Sequence, residues 1–143
     1  MTEHSLLGGP LKNQVEVFYH AKILVSPHGA GLTNAIFMVP HSVVVEVMPP
    51  HFTEFCLAGV LLHARLHYIY VSNFDYAILS RNNIQGPDSA YADGEYMKVR
   101  TRYKNLDLNT KVFSIVSAVD DGIAYLDHYR DRRVNDFMSP IFV

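Results

Sequence analysis

Two short apolar runs, Ile23-Leu24-Val25 and Val43-Val44-Val45-Glu46-Val47, stand either side of the turn Ser26-Pro27-His28-Gly29-Ala30-Gly31, and few folds accommodate that order. Neither run alternates apolar with polar residues in the manner of a half-exposed strand, so both read as parallel strands covered on two faces. Between them, residues 32–38 read as a helix with Leu32, Ile36 and Phe37 inward, stopping before Pro40. Strand, glycine turn, helix and strand together predict a parallel crossover unit.

The turn carries the chemistry. Gly29 and Gly31 lack a Cβ, so the backbone there can take positive φ and admit another group close to its amides. The first N–H groups of a helix starting at Leu32 have no intrahelical partner. With the positive end of the helix dipole they form a seat for an anion such as a diphosphate, spanning Gly29, Ala30, Gly31, Leu32, Thr33 and Asn34. Thr33 and Asn34 add a hydroxyl and an amide. His28 stands at the mouth of the turn, placed to donate a proton or hydrogen bond to a ligand oxygen. The glycines alone fit a ligand-free strand-to-helix turn equally well.

The longer string is more specific. His28-Gly29-Ala30-Gly31-Leu32-Thr33-Asn34, Phe37-Met38-Val39-Pro40 and Val43-Val44-Val45-Glu46-Val47 together resemble the signature of glycosyltransferase family 61. The likeness extends more weakly to Gly59, His67-Tyr68-Ile69 and the last helix. It implies a GT-B architecture, two Rossmann-like domains facing a cleft, with the sugar nucleotide held mainly by the C-terminal one. The expected fold class is therefore α/β: a Rossmann-like parallel sheet with flanking helices, resembling that C-terminal domain and incomplete at its N-terminus. Residues 1–143 form a single donor-nucleotide-binding domain on this reading. The resemblance further implies a UDP-sugar donor, a glycan or glycoprotein acceptor hydroxyl, inversion at the anomeric carbon, and residence in the Golgi or endoplasmic reticulum lumen.

Composition narrows the partners. Twelve basic against fourteen acidic residues leave a net charge of −2, so no basic field attracts nucleic acid or an anionic membrane. Hydrophobic residues make up 49% of the chain, enough for a folded core. The single cysteine, Cys56, sits in an apolar stretch and is expected to be buried. No apolar run approaches the roughly 18 residues that span a bilayer, residues 1–10 lack the basic flank and apolar core expected of a signal peptide, and no N-glycosylation sequon occurs.

Further along the chain, residues 13–21 read as a helix capped by Asn13, leading into a strand over 22–26 that Pro27 ends. Glu46 is anomalous among valines, because a buried carboxylate is costly unless it is hydrogen-bonded or faces a cleft. Ligands of open α/β sheets bind beyond the carboxyl ends of the strands, which makes Glu46 the candidate for the nucleotide ribose. A structural carboxylate paired with a backbone amide or an arginine is the competing reading. A helix over 52–64 starts at His51 or Thr53 and packs through Phe55, Leu57, Ala58, Leu61 and Leu62, and a third strand covers 67–71. Residues 72–106 read as a long irregular loop in which Tyr91, Tyr96, Arg100, Arg102, Tyr103 and Lys104 could contact nucleotide or acceptor, with a solvated loop anchored by its tyrosines the favoured reading. A last helix over 109–129, capped by Asp107 or Asn109, carries Val112, Phe113, Val116, Val119, Ile123 and Leu126 as its stripe, loosened midway at Asp120-Asp121-Gly122. The tail that follows has no functional reading.

Other chemistries fit poorly. His63 and His67 are four apart but fall on different elements, so a metal pair is not expected. The chain lacks the hydrolase Gly-x-Ser-x-Gly pattern, a lysine after Gly31, and an Asp-x-Asp clamp, for which Asp93-Gly94-Glu95 is a poor substitute. Diphosphate charge would then be met by amides, with no metal and no cofactor beyond the sugar nucleotide. His28 is the only catalytic candidate, and none of these residues is a convincing general base. The expectation is a hexosyl- or pentosyltransferase whose acceptor domain lies outside this chain, so that the isolated chain turns over poorly. The alternative is a non-catalytic nucleotide-binding or interaction domain, a truncated paralogue pairing with itself or a full-length partner through an incomplete sheet edge.

Overall fold

The computed structural model describes residues 10–52, 54–74, 76–83, 103, 106 and 110–136. Its centre is a three-stranded parallel sheet: β1 (Ile23–Pro27), β2 (Val43–Val47) and β3 (His67–Val71), in the order β1-β2-β3. The register pairs Ile23 with Val43 and Val43 with His67, and continues unshifted to Pro27, Val47 and Val71. β2 lies between the other two and is buried at every position, which is why it can be almost entirely valine. Pro27 takes the last place of an outer strand, where its missing N–H does not interrupt the ladder.

Helices cover both faces, so the architecture is α/β as expected. On one side α1 (Leu11–His20), a 3₁₀ helix (Ala30–Phe37) and α2 (Cys56–His63) bring Phe18, Leu32, Ala35, Met38, Leu57 and Leu61 onto Val44. On the other, Ile115, Ala118, Tyr125 and Leu126 of a long C-terminal helix pack on Val43, Val45, Val47 and Val71. A short helix, α3 (Tyr76–Arg81), lies between β3 and that long helix, α4 (Val112–Asp136). It occupies part of the segment expected to be irregular; Ile78 and Leu79 form a small cluster with Phe52 and Tyr103. Tyr103 is therefore a packing residue here. Tyr91, Tyr96, Arg100, Arg102 and Lys104 lie outside the described residues, as do Thr53, Asp107 and Asn109.

The crossover after β1 is 3₁₀ rather than α. Five strand residues run about 16 Å, which eight 3₁₀ residues at about 2.0 Å each can match, whereas eight α residues reach only about 12 Å. Tighter winding also changes the inward face: Leu32 and Ala35 are buried, Phe37 is partly so, and Ile36 is exposed.

Three other expectations are corrected. Asn13 lies inside α1, whose cap position is Pro10 with no side-chain bond. Cys56 is exposed, because α2 turns Leu57 and Leu61 inward and leaves Phe55, Val60 and Leu62 in solvent. In α4 the sheet-facing stripe runs through Ile115, Ala118, Gly122 and Tyr125, while Val112, Phe113, Val116 and Ile123 face outward. Gly122 does not loosen that helix. A Cβ there would stand 3.0 Å from Val43 Cγ1, so the glycine is where α4 comes closest to the sheet.

Candidate functional site

The site stands beyond the carboxyl ends of the three strands, where parallel α/β sheets bind ligands. Backbone bonds extend the ladder past the strands: the His28 amide donates to Val47 O at 2.9 Å, and the Met48 amide to Val71 O at 3.0 Å. The turn between β1 and the 3₁₀ helix is thus anchored from below.

Gly29 is the cap of the 3₁₀ helix with φ 166° and ψ 167°, an extended conformation open to any residue. The expected positive φ is absent at this position. What the missing side chain leaves is room, since a Cβ built there meets nothing within 4 Å. The Leu32 amide donates to Gly29 O at 3.1 Å, which closes the first 3₁₀ turn. The amides of Gly29, Ala30 and Gly31 have no partner among the described residues. Free N–H groups at a helix start, here those of Ala30 and Gly31, are the kind that receive anions.

The remaining predicted groups are largely occupied. Thr33 Oγ1 donates to Ala30 O at 2.6 Å, so its proton is committed to its own helix. Asn34 Nδ2 donates to Gln14 Oε1 at 3.2 Å and ties the 3₁₀ helix to α1. The Leu32 side chain is core. Of the predicted seat, the amides of 29–31 are left without a partner among the described residues, whereas Leu32, Thr33 and Asn34 are engaged in the scaffold.

His28 and Glu46 are brought together. His28 Nδ1 lies 2.7 Å from Glu46 Oε1, and Tyr68 donates its hydroxyl to Glu46 Oε2 at 2.5 Å. The His28 side chain is 3% exposed and the Glu46 side chain 0%. A ribose contact needs a carboxylate oxygen open to ligand, and both oxygens of Glu46 already accept a bond. The competing structural reading foresaw a paired carboxylate but not these partners. Burial, followed by the bond to Glu46, holds the Tyr68 phenol well above its ordinary range, so Tyr68 remains a donor. His28 Nε2 faces Glu54 Oε2 at 3.7 Å, and the ring packs at 5.1 Å on Phe52.

Tyr68, Glu54 and Phe52 were not among the predicted site residues. One signal was present for Tyr68: alternation along β3 puts it on the same sheet face as Val44 and Glu46, and the parallel register sets it beside Val44. Glu54 and Phe52 come from the loop after β2, whose path the sequence does not specify. His63 and His67 go separate ways, His63 to Gly59 O at 2.8 Å and His67 onto the ring of Tyr125. Among the described residues no three His, Cys, Asp or Glu side chains stand close enough to share a metal ion, and no helix is long and apolar enough to cross a membrane.

The described residues thus form a parallel α/β sheet with helices on both faces. Comparison with known proteins places it further. Residues 3–45 match the family model described as Glycosyltransferase 61. Over those residues the chain is similar to glycosyltransferase family 61, and the whole turn from His28 to Asn34 lies inside the matched residues. Protein O-linked-mannose beta-1,4-N-acetylglucosaminyltransferase 2 of Tetraodon nigroviridis is 36% identical over 85 residues, which cover 56% of this chain and 14% of that protein. The chain thus spans only a small part of that relative's length. No solved structure matches.

Proposed function

We propose that this chain is the donor-binding portion of a glycosyltransferase, and that the amides of Gly29, Ala30 and Gly31 receive the diphosphate of a sugar nucleotide, taken to be a UDP-sugar. The carrying observation is the run of three amides with no partner among the described residues, beside an unfilled Cβ position and inside the segment that matches family 61. As the donor sugar transfers, charge grows on the departing diphosphate, and preorganised N–H groups stabilise it without a metal. The relative's name supports a sugar such as N-acetylglucosamine and an O-linked sugar acceptor. A GT-B arrangement, inversion, an acceptor domain outside this chain, and a Golgi or endoplasmic reticulum lumen belong to the same proposal. A single domain would carry the donor site.

UDP titrated into the isotopically labelled full chain tests it. The 29–31 amide resonances shift first, and Gly29→Asp lowers affinity about tenfold by repelling the diphosphate. The open Cβ position and extended backbone at Gly29 let that variant fold normally. Shifts elsewhere with the turn unmoved overturn the proposal.

The outward apolar side of α4, with Phe113 81% exposed, favours a second reading as an interaction domain. A chain indifferent to UDP that elutes as a dimer by size exclusion supports that reading instead.

A further inference from the structure

Glu46 presents a problem of physical chemistry. A carboxylate with no solvent exposure is tolerated only when its oxygens are hydrogen-bonded. Here one oxygen accepts from β3, through Tyr68, and the other from the turn after β1, through His28. One carboxylate on the middle strand therefore joins both neighbours at the end of the sheet where the open amides stand.

The bonds also have direction. A carboxylate accepts, so Tyr68 O–H and His28 Nδ1–H both point into it. The other ring nitrogen, Nε2, stands 3.7 Å from Glu54 Oε2. His28 is held twice against the end of β2, by its amide on Val47 O and by its ring on Glu46. The next residue in the chain is Gly29, where the open amides begin.

We propose that Glu46 and Tyr68 are positioning residues: the chain Tyr68–Glu46–His28 fixes the His28 ring in its Nδ1–H form and thereby holds the 29–31 amides in the geometry that receives a diphosphate. The inference rests on the donor-site reading above and differs from a ribose contact by Glu46. A ribose contact touches only ligands that contain ribose, whereas a positioning chain affects every diphosphate.

Two readouts separate these cases in the full chain. The first is the imidazole nitrogen spectrum of His28, which reports the ring's tautomer without any ligand. The second is the affinity for inorganic pyrophosphate and for UDP, measured side by side. In the wild type the spectrum shows Nδ1–H, and both ligands shift the 29–31 amides. Glu46→Ala removes the Nδ1–H signature and weakens pyrophosphate and UDP by the same factor, about tenfold, while Glu46→Gln recovers most of both because its amide oxygen still accepts from Nδ1–H. Tyr68→Phe, a smaller change that supports the test should Glu46→Ala fail to fold, weakens both ligands about threefold. Loss of UDP binding with pyrophosphate unaffected overturns the proposal in favour of a ribose contact. An Nδ1–H signature that survives Glu46→Ala overturns it outright. A wild-type chain that shows the signature but binds neither ligand removes the donor-site reading, and with it the diphosphate half of this inference, while the hydrogen-bond chain stands.

Discussion

The two ends of the sheet are each closed by histidine and tyrosine, by opposite means. At the carboxyl end, His28 and Tyr68 never touch as rings; they meet through the buried carboxylate of Glu46. At the amino end, His41 stacks on Tyr129 at 4.0 Å and 16°, and His67 on Tyr125 at 3.9 Å and 7°, with no carboxylate between them. His41 reaches its stack from a left-handed backbone, φ 68°, steadied by its amide on Arg65 O at 2.7 Å. Stacked rings gain from area and tolerate small slides. A hydrogen-bonded carboxylate tolerates neither displacement nor the loss of a partner. The rigid closure stands at the end that holds the open amides, and the more forgiving one at the opposite end, where the stacks are joined by a long contact of 3.5 Å between Tyr125 Oη and His41 Nδ1.

The largest expected effect breaks the carboxyl-end closure. Glu46→Ala leaves the His28 N–H and the Tyr68 hydroxyl without that acceptor and costs about 2–6 kcal/mol in urea unfolding, roughly 1–3 kcal/mol for each buried donor left unpaired. A loss below about 1 kcal/mol would mean that water already serves these groups, and the contrast between the two ends would fail.

Next comes the amino-end packing. Gly122→Val drives a side chain into Val43, the first residue of β2, and costs about 1–3 kcal/mol by overpacking plus strain. Tyr125→Leu keeps an apolar side chain against the sheet but removes the His67 stack and the hydroxyl that meets His41, and costs at least about 0.5–1.5 kcal/mol. If the leucine variant proves as damaging as Glu46→Ala, the amino end is as exacting as the other.

Much of this frame was legible in sequence, and the reasons differ by element. Val43–Val47 and His67–Val71 were readable to the residue because β-branched and aromatic runs bounded by turn residues have few alternatives. The likeness to family 61 was readable because the turn string is specific. The 3₁₀ winding was not, since it follows from the distance the crossover must cover and not from any residue preference. The inward side of α4 was misread because apolar residues occur on both sides of it. The decisive choice was made at Gly122, whose lack of a side chain admits the sheet more closely than any valine could. Glu46 was legible as an anomaly and not as a solution: its partners come from two other chain segments, one joined to it only through the parallel register.

The smallest effect concerns pH and again separates the two ends. Burial lowers the pKa of His67 from its ordinary 6.5. The unfolded chain then takes up a proton at a higher pH than the folded one, so protonation favours unfolding. Stability due to the neutral ring is fully present above about pH 6.5 and is lost as pH falls from there through the folded pKa. Tyr125, stacked on it, has its phenol raised by burial and then by Tyr129, so it stays neutral across this window and does not oppose the trend. His67→Phe keeps a ring against Tyr125 and removes the titration. Its urea midpoint should fall less than that of the wild type between about pH 7.5 and about pH 5. Equal slopes in the two proteins would show that the acid sensitivity arises elsewhere, and the amino-end stack would then be a purely apolar closure.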